Sequence, residues 1–289
     1  QSNTDAIPQQ KDYHFTSALR PFSLIIALAT TGIAGSRVKE HPDFSILFAV
    51  LVVLGTLLAQ ASVNLFNDWS ERKSFSKNSA SYRRIKSNFY TACAGFGFAA
   101  LIGLYIASAK GAPIVWLAIA GFFACLAYTL EPVNLKRRGL GLPAVFLIMG
   151  PVLMMGSSYA MTGSWHTEVL LDAIIFGPLI SLVLLANELR DYEHDQSTTD
   201  RTFTVRVGYP FARNVFIVLI TLTIIGYYSA IALEYLHPSP LFLVPLALAL
   251  WIIRFLIAAN PGPLKKLPPL CGRLVLATGA AHVIALMEI

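Results

Sequence analysis

The chain has 289 residues, 55% of them hydrophobic and only 13% charged, with a formal net charge of +6. A soluble globular domain carries about 25% charged residues, so this composition excludes an ordinary water-soluble fold and implies a chain that lives in lipid. No nucleic-acid motif accompanies the positive charge, which reads as membrane topology and phosphate-rich surroundings rather than DNA or RNA binding.

Residues 1–18 form a polar N-terminal segment without the apolar stretch of a signal peptide. The rest, 19–289, reads as a single transmembrane domain. A helix needs about 20 consecutive apolar residues to cross the hydrocarbon core. Nine stretches are predicted to do so: 19–37, 44–67, 88–109, 113–130, 142–162, 168–190, 211–235, 240–259 and 269–288. Backbone groups in lipid must bond internally, and long apolar runs without alternation favour helices over a barrel. The expected class is therefore all-α, a polytopic membrane protein with about nine helices around a central cavity. Cys93, Cys125 and Cys271 lie in separate apolar runs with no paired spacing, so they read as packed thiols.

The connecting segments alternate in character. Segments 68–87, 131–141, 190–213 and 260–268 are long or basic; 37–43, 110–112, 163–167 and 236–239 are short and nearly neutral. The positive-inside rule puts the N-terminus and the basic loops on the cytoplasmic side. The chain reads as an integral membrane protein whose active-site loops face the cytoplasm.

Two predicted spans end alike on that side: VNLFNDWSE and ANELRDYEHD. On a continuing helix, Asn64, Asn67, Asp68 and Glu71 fall at i, i+3, i+4 and i+7 and share one face. Asn187, Asp191 and Asp195 fall at i, i+4 and i+8. Asparagine and aspartate also favour helix ends as caps, and either stripe alone could be that. Both stripes together, on one side and facing basic loops, point to a site. Two facing carboxylate stripes need a cation between them, and Mg²⁺ is commonly held by a few carboxylates plus substrate phosphates. Arg72, Lys73, Lys136, Arg137, Arg138, Arg201 and Arg206 supply the complementary grip on phosphate oxygens. Acids, basic loops and an apolar interior suit a ligand with a diphosphate head and a long hydrocarbon tail.

Residues 187–208, NELRDYEHDQSTTDRTFTVRVG, resemble the second signature of the UbiA superfamily of intramembrane prenyltransferases. The likeness is greatest to the branch that prenylates dihydroxynaphthoate in menaquinone synthesis. That branch shows Asn-Asn-x-Arg-Asp-x-x-x-Asp, then Gly-Lys-Arg-Thr and Val-Arg-x-Gly. Asn187, Arg190, Asp191, Asp195, Arg201, Thr202, Val205, Arg206 and Gly208 match it. Asn64, Asn67 and Asp68 match the first signature, Asn-x-x-Asn-Asp-x-x-Asp, with Glu71 where aspartate is usual. Residues 128–163 and the Arg20-Pro21 pair fit the same branch.

The resemblance implies Mg²⁺ held by Asp68, Glu71, Asp191 and Asp195, with Asp68, Asp191 and Asp195 central to catalysis. It implies Asn64, Asn67 and Asn187 orienting ligands, Arg72, Lys73, Arg138 and Arg201 contacting phosphate, and Tyr128 and Trp69 as aromatic walls. A polyprenyl diphosphate would be the donor, a small aromatic, quinone-precursor-like molecule the acceptor, and membrane lipid the surroundings. The chain departs from the pattern at Phe75 or Lys77, where a further acid is usual, and at Thr199-Asp200, where Gly-Lys is usual. Lys77 and Asp200 are expected to form a charge-swapped pair. The departures keep two alternatives open: a membrane terpene cyclase, and a catalytically weakened isoprenoid-binding member.

Overall fold

The computed structural model describes residues 15–70, 72, 76–77, 79–197, 201–258 and 264–287. Its helices are α1 (Phe15–Ala18), α2 (Pro21–Val38), α3 (Ile46–Ser70), α4 (Ala80–Lys110), α5 (Pro113–Thr129), α6 (Gly141–Leu147), α7 (Leu153–Thr162), α8 (Thr167–Ser197), α9 (Phe203–Val207), α10 (Tyr209–Ala232), α11 (Leu243–Ala258) and α12 (Leu267–Met287). One π turn, Ile148–Val152, joins α6 to α7, and one 3-10 turn, Pro240–Phe242, precedes α11. No strand occurs among the described residues.

Local chemistry sets the helix ends. Proline opens α2 and α5, where a missing N–H costs nothing because the first turn has no acceptor for it. The Ser79 hydroxyl accepts the Tyr82 N–H at 3.1 Å and caps α4. Pro151 lies inside the α6–α7 span, where it cannot donate to the ladder, and the backbone widens into the π turn there.

Eight helices among the described residues are long and apolar enough to cross a membrane. The expected count of nine is not reached by that criterion. The stretch predicted at 113–130 is α5, whose apolar run Pro113–Tyr128 is shorter than the rest. Two helices outrun their predicted spans by about two turns. α4 begins at Ala80 rather than 88, and α8 continues to Ser197 rather than stopping at 190. Hydropathy stops where charges start, whereas a helix in the headgroup region can bury one face and wet the other. In the first turns of α4, Ser81, Ile85 and Asn88 form that buried face.

α8 and α12 are the most enclosed spans, packed with α2 and α10, whereas α3 and α4 pair at the lipid-facing edge. In lipid, close packing replaces the hydrophobic effect as the force between helices, so small residues sit at crossings. At Gly279 of α12 a methyl group would stand 2.9 Å from the Ala29 Cβ of α2. The Phe176 ring, fully buried, stands 3.9 Å from the same point, and Leu179, Phe216 and Val275 are likewise fully buried in the core.

The end of the bundle at the C-terminus of α2 is tied by a buried polar chain. Arg37 donates from Nε and Nη2 to the two Asp172 carboxylate oxygens, both at 2.7 Å. A carboxylate only accepts, so His282 Nε2 donates to Asp172 Oδ1 at 3.0 Å. Its Nδ1 then accepts from the Tyr227 hydroxyl at 2.8 Å. The Arg37 guanidinium also lies 4.4 Å from the centre of the Tyr235 ring. Four long helices, α2, α8, α10 and α12, are thereby joined. In the nearby loop, His166 packs edge-on to His41 at 5.0 Å, and burial together with that second ring holds its pKa below the ordinary histidine value.

Candidate functional site

The opposite end holds both acid-and-amide stripes. α2 begins there with Arg20 in the left-handed region, φ 47°. That conformation is costly for a side-chain-bearing residue and needs outside support. Asn64 of α3 supplies it. Its Nδ2 donates to the Leu19 carbonyl and to the Ser23 hydroxyl, both at 2.7 Å, and its Oδ1 accepts from Gln60 at 3.2 Å. Asn64 is thus committed to a clamp between α2 and α3. Arg20 Nη2 in turn donates to Asp68 Oδ1 at 3.3 Å.

Asn67 is buried on the same face of α3, while Asp68 stays partly accessible. Arg72 folds back, donating to the Trp69 carbonyl at 2.9 Å and lying 4.2 Å over the indole. Phe89 packs against the same indole at 4.7 Å, so Trp69 is committed to stacking. Glu71, Lys73, Phe75, Thr199 and Asp200 lie outside the described residues, and with them the expected Lys77–Asp200 pair. Lys77 itself is exposed.

On α8, Asn187 donates back to the Val183 carbonyl at 2.9 Å. Asp191 is gripped by its neighbour Arg190 through two bonds of 2.8 and 2.6 Å. Asp195 Oδ2 accepts from the Thr202 hydroxyl at 3.5 Å. Glu188, absent from the sequence-based set, is 3% exposed. Its Oε2 accepts from the Thr204 N–H at 2.9 Å and from the Thr204 hydroxyl at 3.1 Å, holding α9 against α8. Its spacing carried a signal: Glu188, Asp191 and Asp195 run i, i+3, i+7 along one face.

The basic loops are fastened to each other. Arg206 donates to the Arg201 carbonyl at 2.8 Å and to the Arg137 carbonyl at 2.9 Å. Gly139 lets that happen twice over. Its φ of +75° suits glycine, and a Cβ there would stand 2.5 Å from Arg206 Cδ. Arg138 is exposed, with one Nη donating to the Pro132 carbonyl at 2.8 Å, and Arg201, in the segment after α8, is exposed too. Tyr128, on the last turn of α5, stands within electrostatic reach of Glu188 and Arg20. Glu188 is likewise within reach of Lys136 and Asp195. One end of the bundle therefore gathers Arg20, Asp68, Tyr128, Lys136, Glu188, Asp191 and Asp195.

No group of three or more His, Cys, Asp or Glu side chains converges tightly enough to hold a metal among the described residues. The donor chemistry still fits Mg²⁺, which takes hard oxygens and is often held by one or two carboxylates plus substrate phosphates. Asp68 and Asp191 each already have an arginine partner, so a bound cation would share or displace it.

Fold and site define a polytopic helical membrane protein that concentrates acids, amides and arginines at one end. The sequence model of the UbiA prenyltransferase family matches residues 25–267, and the chain belongs to that family. It is 30% identical over 207 residues to the 1,4-dihydroxy-2-naphthoate octaprenyltransferase of Haemophilus influenzae, covering 65% of this chain and 67% of that one. Among solved structures, the apo UbiA homolog from Aeropyrum pernix superposes with a TM-score of 0.67 at 15% identity, covering 92% of this chain and 98% of that one. A UbiA homolog from Archaeoglobus fulgidus bound to DMAPP and Mg²⁺ gives 0.58 at 14% identity, covering 94% and 99%.

Proposed function

We propose that this protein transfers a prenyl group within the membrane from an allylic polyprenyl diphosphate to a small aromatic, quinone-precursor-like acceptor, with release of pyrophosphate. The observation that carries the reading is the gathering of Asp68, Asp191 and Asp195 with Arg20, Lys136 and Tyr128 at one end of an apolar bundle. The named activity of the Haemophilus relative and the DMAPP and Mg²⁺ bound by the Archaeoglobus homolog support it.

Asp68, Asp191 and Asp195, with Glu71, would hold Mg²⁺. When bound, the ion supplies positive charge for the departing pyrophosphate. Arg201 and Arg138, with Arg72 and Lys73, would bind the diphosphate oxygens that remain. Preorganised cations of this kind stabilise charge that develops on the leaving group. Asn67 and Asn187 would orient the head, and the Tyr128 ring would face the allylic carbon as it becomes cationic. Trp69 is already stacked, so this role falls to Tyr128. The positive-inside rule assigns this end to the cytoplasm.

A second reading is favoured by one observation: the Arg20–Asp68 and Arg190–Asp191 pairs leave two of the acids neutralised by arginine. That suits a member that binds isoprenoid diphosphate without turning it over. The test is pyrophosphate release by the purified protein in lipid, given allylic diphosphates of several lengths, with and without Mg²⁺ and aromatic acceptors. Release that needs metal, acceptor and an intact Asp191 supports transfer. Release without acceptor indicates cyclisation. Ligand stabilisation without release from any donor indicates binding alone and overturns the proposal.

A further inference from the structure

The end of the bundle away from the candidate site has an opening of its own. A cavity of about 220 Å³ lies there, lined by Arg37, Val38, His41, His166 and Glu168. That is smaller than the roughly 300–1,000 Å³ of a pocket for a drug-sized molecule, and it suits a compact polar group. Aromatic residues mark its level in the bilayer: Trp165 is exposed next to His166, and Tyr235 packs on Arg37. Such side chains gather at headgroup depth. Leu171 and Ile174, three and six residues on from Glu168 along α8, are exposed and offer a flank on which acyl chains can lie.

The polar groups around the cavity divide into donors and acceptors. Arg37 spends Nε and Nη2 on Asp172, which leaves Nη1 to donate. The Tyr235 ring holds the guanidinium, and its hydroxyl donates to the Glu168 carbonyl at 2.6 Å, so one residue steadies both charged walls. His41 Nδ1 accepts the Asp43 N–H at 3.2 Å, so the neutral ring carries its hydrogen on Nε2 and can donate it. Thr162 gives its hydroxyl hydrogen to the Ser158 and Ser164 carbonyls, at 2.9 and 3.3 Å, and therefore accepts from His166 Nε2 at 2.9 Å. His166 Nδ1 is then left as an acceptor. The Glu168 carboxylate makes no hydrogen bond or ion pair among the described residues, and it stands within electrostatic reach of Arg37 and His166. Asp172 already balances Arg37, so Glu168 leaves its side of the cavity negative. A simple anion would be repelled there, and a simple cation would leave both donors idle.

We propose that this cavity holds the headgroup of a phospholipid bearing a primary ammonium, of the phosphatidylethanolamine type, with its phosphate between Arg37 and His41 and its ammonium between Glu168 and His166. The site is separate from the prenyl-transfer reading. A choline headgroup has no N–H to offer and would leave Glu168 and His166 Nδ1 without hydrogen bonds. A glycerol headgroup would bring an uncompensated negative charge against Glu168.

The test titrates delipidated protein in detergent with phosphatidylethanolamine, phosphatidylcholine and phosphatidylglycerol of identical chains, read by native mass spectrometry. Wild type should bind the ethanolamine lipid about tenfold more tightly than the choline lipid, the worth of one hydrogen bond to a charged group. Glu168 is exposed, so Glu168→Gln should fold with an unchanged melting temperature and bring the ratio to within about twofold. His41→Phe should weaken all three lipids, because the phosphate is common to them, and keep the ratio. Free O-phosphoethanolamine, a headgroup without chains, should displace the lipid only at concentrations about a hundredfold higher. Equal affinity of wild type for ethanolamine and choline lipids overturns the inference, as does a Glu168→Gln protein that keeps the tenfold ratio. Tightest binding of the glycerol lipid overturns it in favour of an anion site. Displacement by free O-phosphoethanolamine at equal concentration overturns a lipid as the source of the headgroup. None of these readouts uses pyrophosphate release, so failure here leaves the prenyl-transfer reading untouched.

Discussion

Replacing Arg37 with methionine isolates the buried polar chain at the far end of the bundle. The Asp172 side chain is 0% exposed and that of Arg37 is 14% exposed, so the pair belongs with buried ion pairs rather than surface ones. Removing one partner of such a pair costs about 3–5 kcal/mol, because a desolvated charge is left behind. Here His282 still donates to Asp172 at 3.0 Å, which argues for the lower end, about 3 kcal/mol. At about 1.4 kcal/mol per decade, that is roughly a hundredfold in the unfolding constant. The double variant Arg37→Met, Asp172→Asn removes both charges and keeps an acceptor for His282, so it should recover most of the loss. The assay is reversible unfolding by SDS titration in mixed micelles, run on wild type, both single variants and the double. A single variant costing less than about 1 kcal/mol, or a double as unstable as the single, would refute the reasoning.

Asn64→Ala should cost about 1–3 kcal/mol by releasing the Leu19 carbonyl and the strained Arg20, seen as a lower melting temperature. Pyrophosphate release should survive at low temperature, and its loss with unchanged melting would assign Asn64 to the diphosphate instead. Gly139→Ala should loosen the Arg206 tie between the basic loops, by about 1–3 kcal/mol for a left-handed non-glycine, and speed proteolysis at 131–141. His166 has a native pKa below its unfolded value, so the unfolded chain binds more protons once pH falls below about 6.5. Stability should therefore decline on acidification through that range, and His166→Gln should flatten the decline. Equal pH slopes for the two proteins would count against it.

Hydropathy reveals the long spans because lipid demands an apolar run, and it blurs wherever a helix leaves lipid without ending, as at Ala80 and Ser197. The stripes of α3 and α8 are legible because helical spacing is local. The partners are not. Nothing near Asp172 in sequence announces Arg37, 135 residues away, or His282, 110 residues away. Asn64 and Asp191 illustrate a different limit. Their residue types advertise ligand chemistry and say nothing of the partners the fold gives them: Asn64 clamps the Leu19 carbonyl, and Asp191 is held by its neighbour Arg190 until a cation shares or displaces that contact. Glu188 obeys the same helical spacing, three and seven residues before Asp191 and Asp195, next to Asn187.

The separation of Arg37, Asp172 and His282 along the chain imposes an order on synthesis. Arg37 enters the bilayer at the end of α2 and waits through α3, α4, α5 and the α6–α7 span before α8 delivers its anion. α12 then arrives with the imidazole that completes the chain to Tyr227. Until α12 docks, a partly satisfied carboxylate faces the seam it will fill. Among the described helices, the one that inserts last is thus the one that completes the polar tie, so an intermediate lacking it presents a polar gap at the far end of the bundle, away from the candidate site.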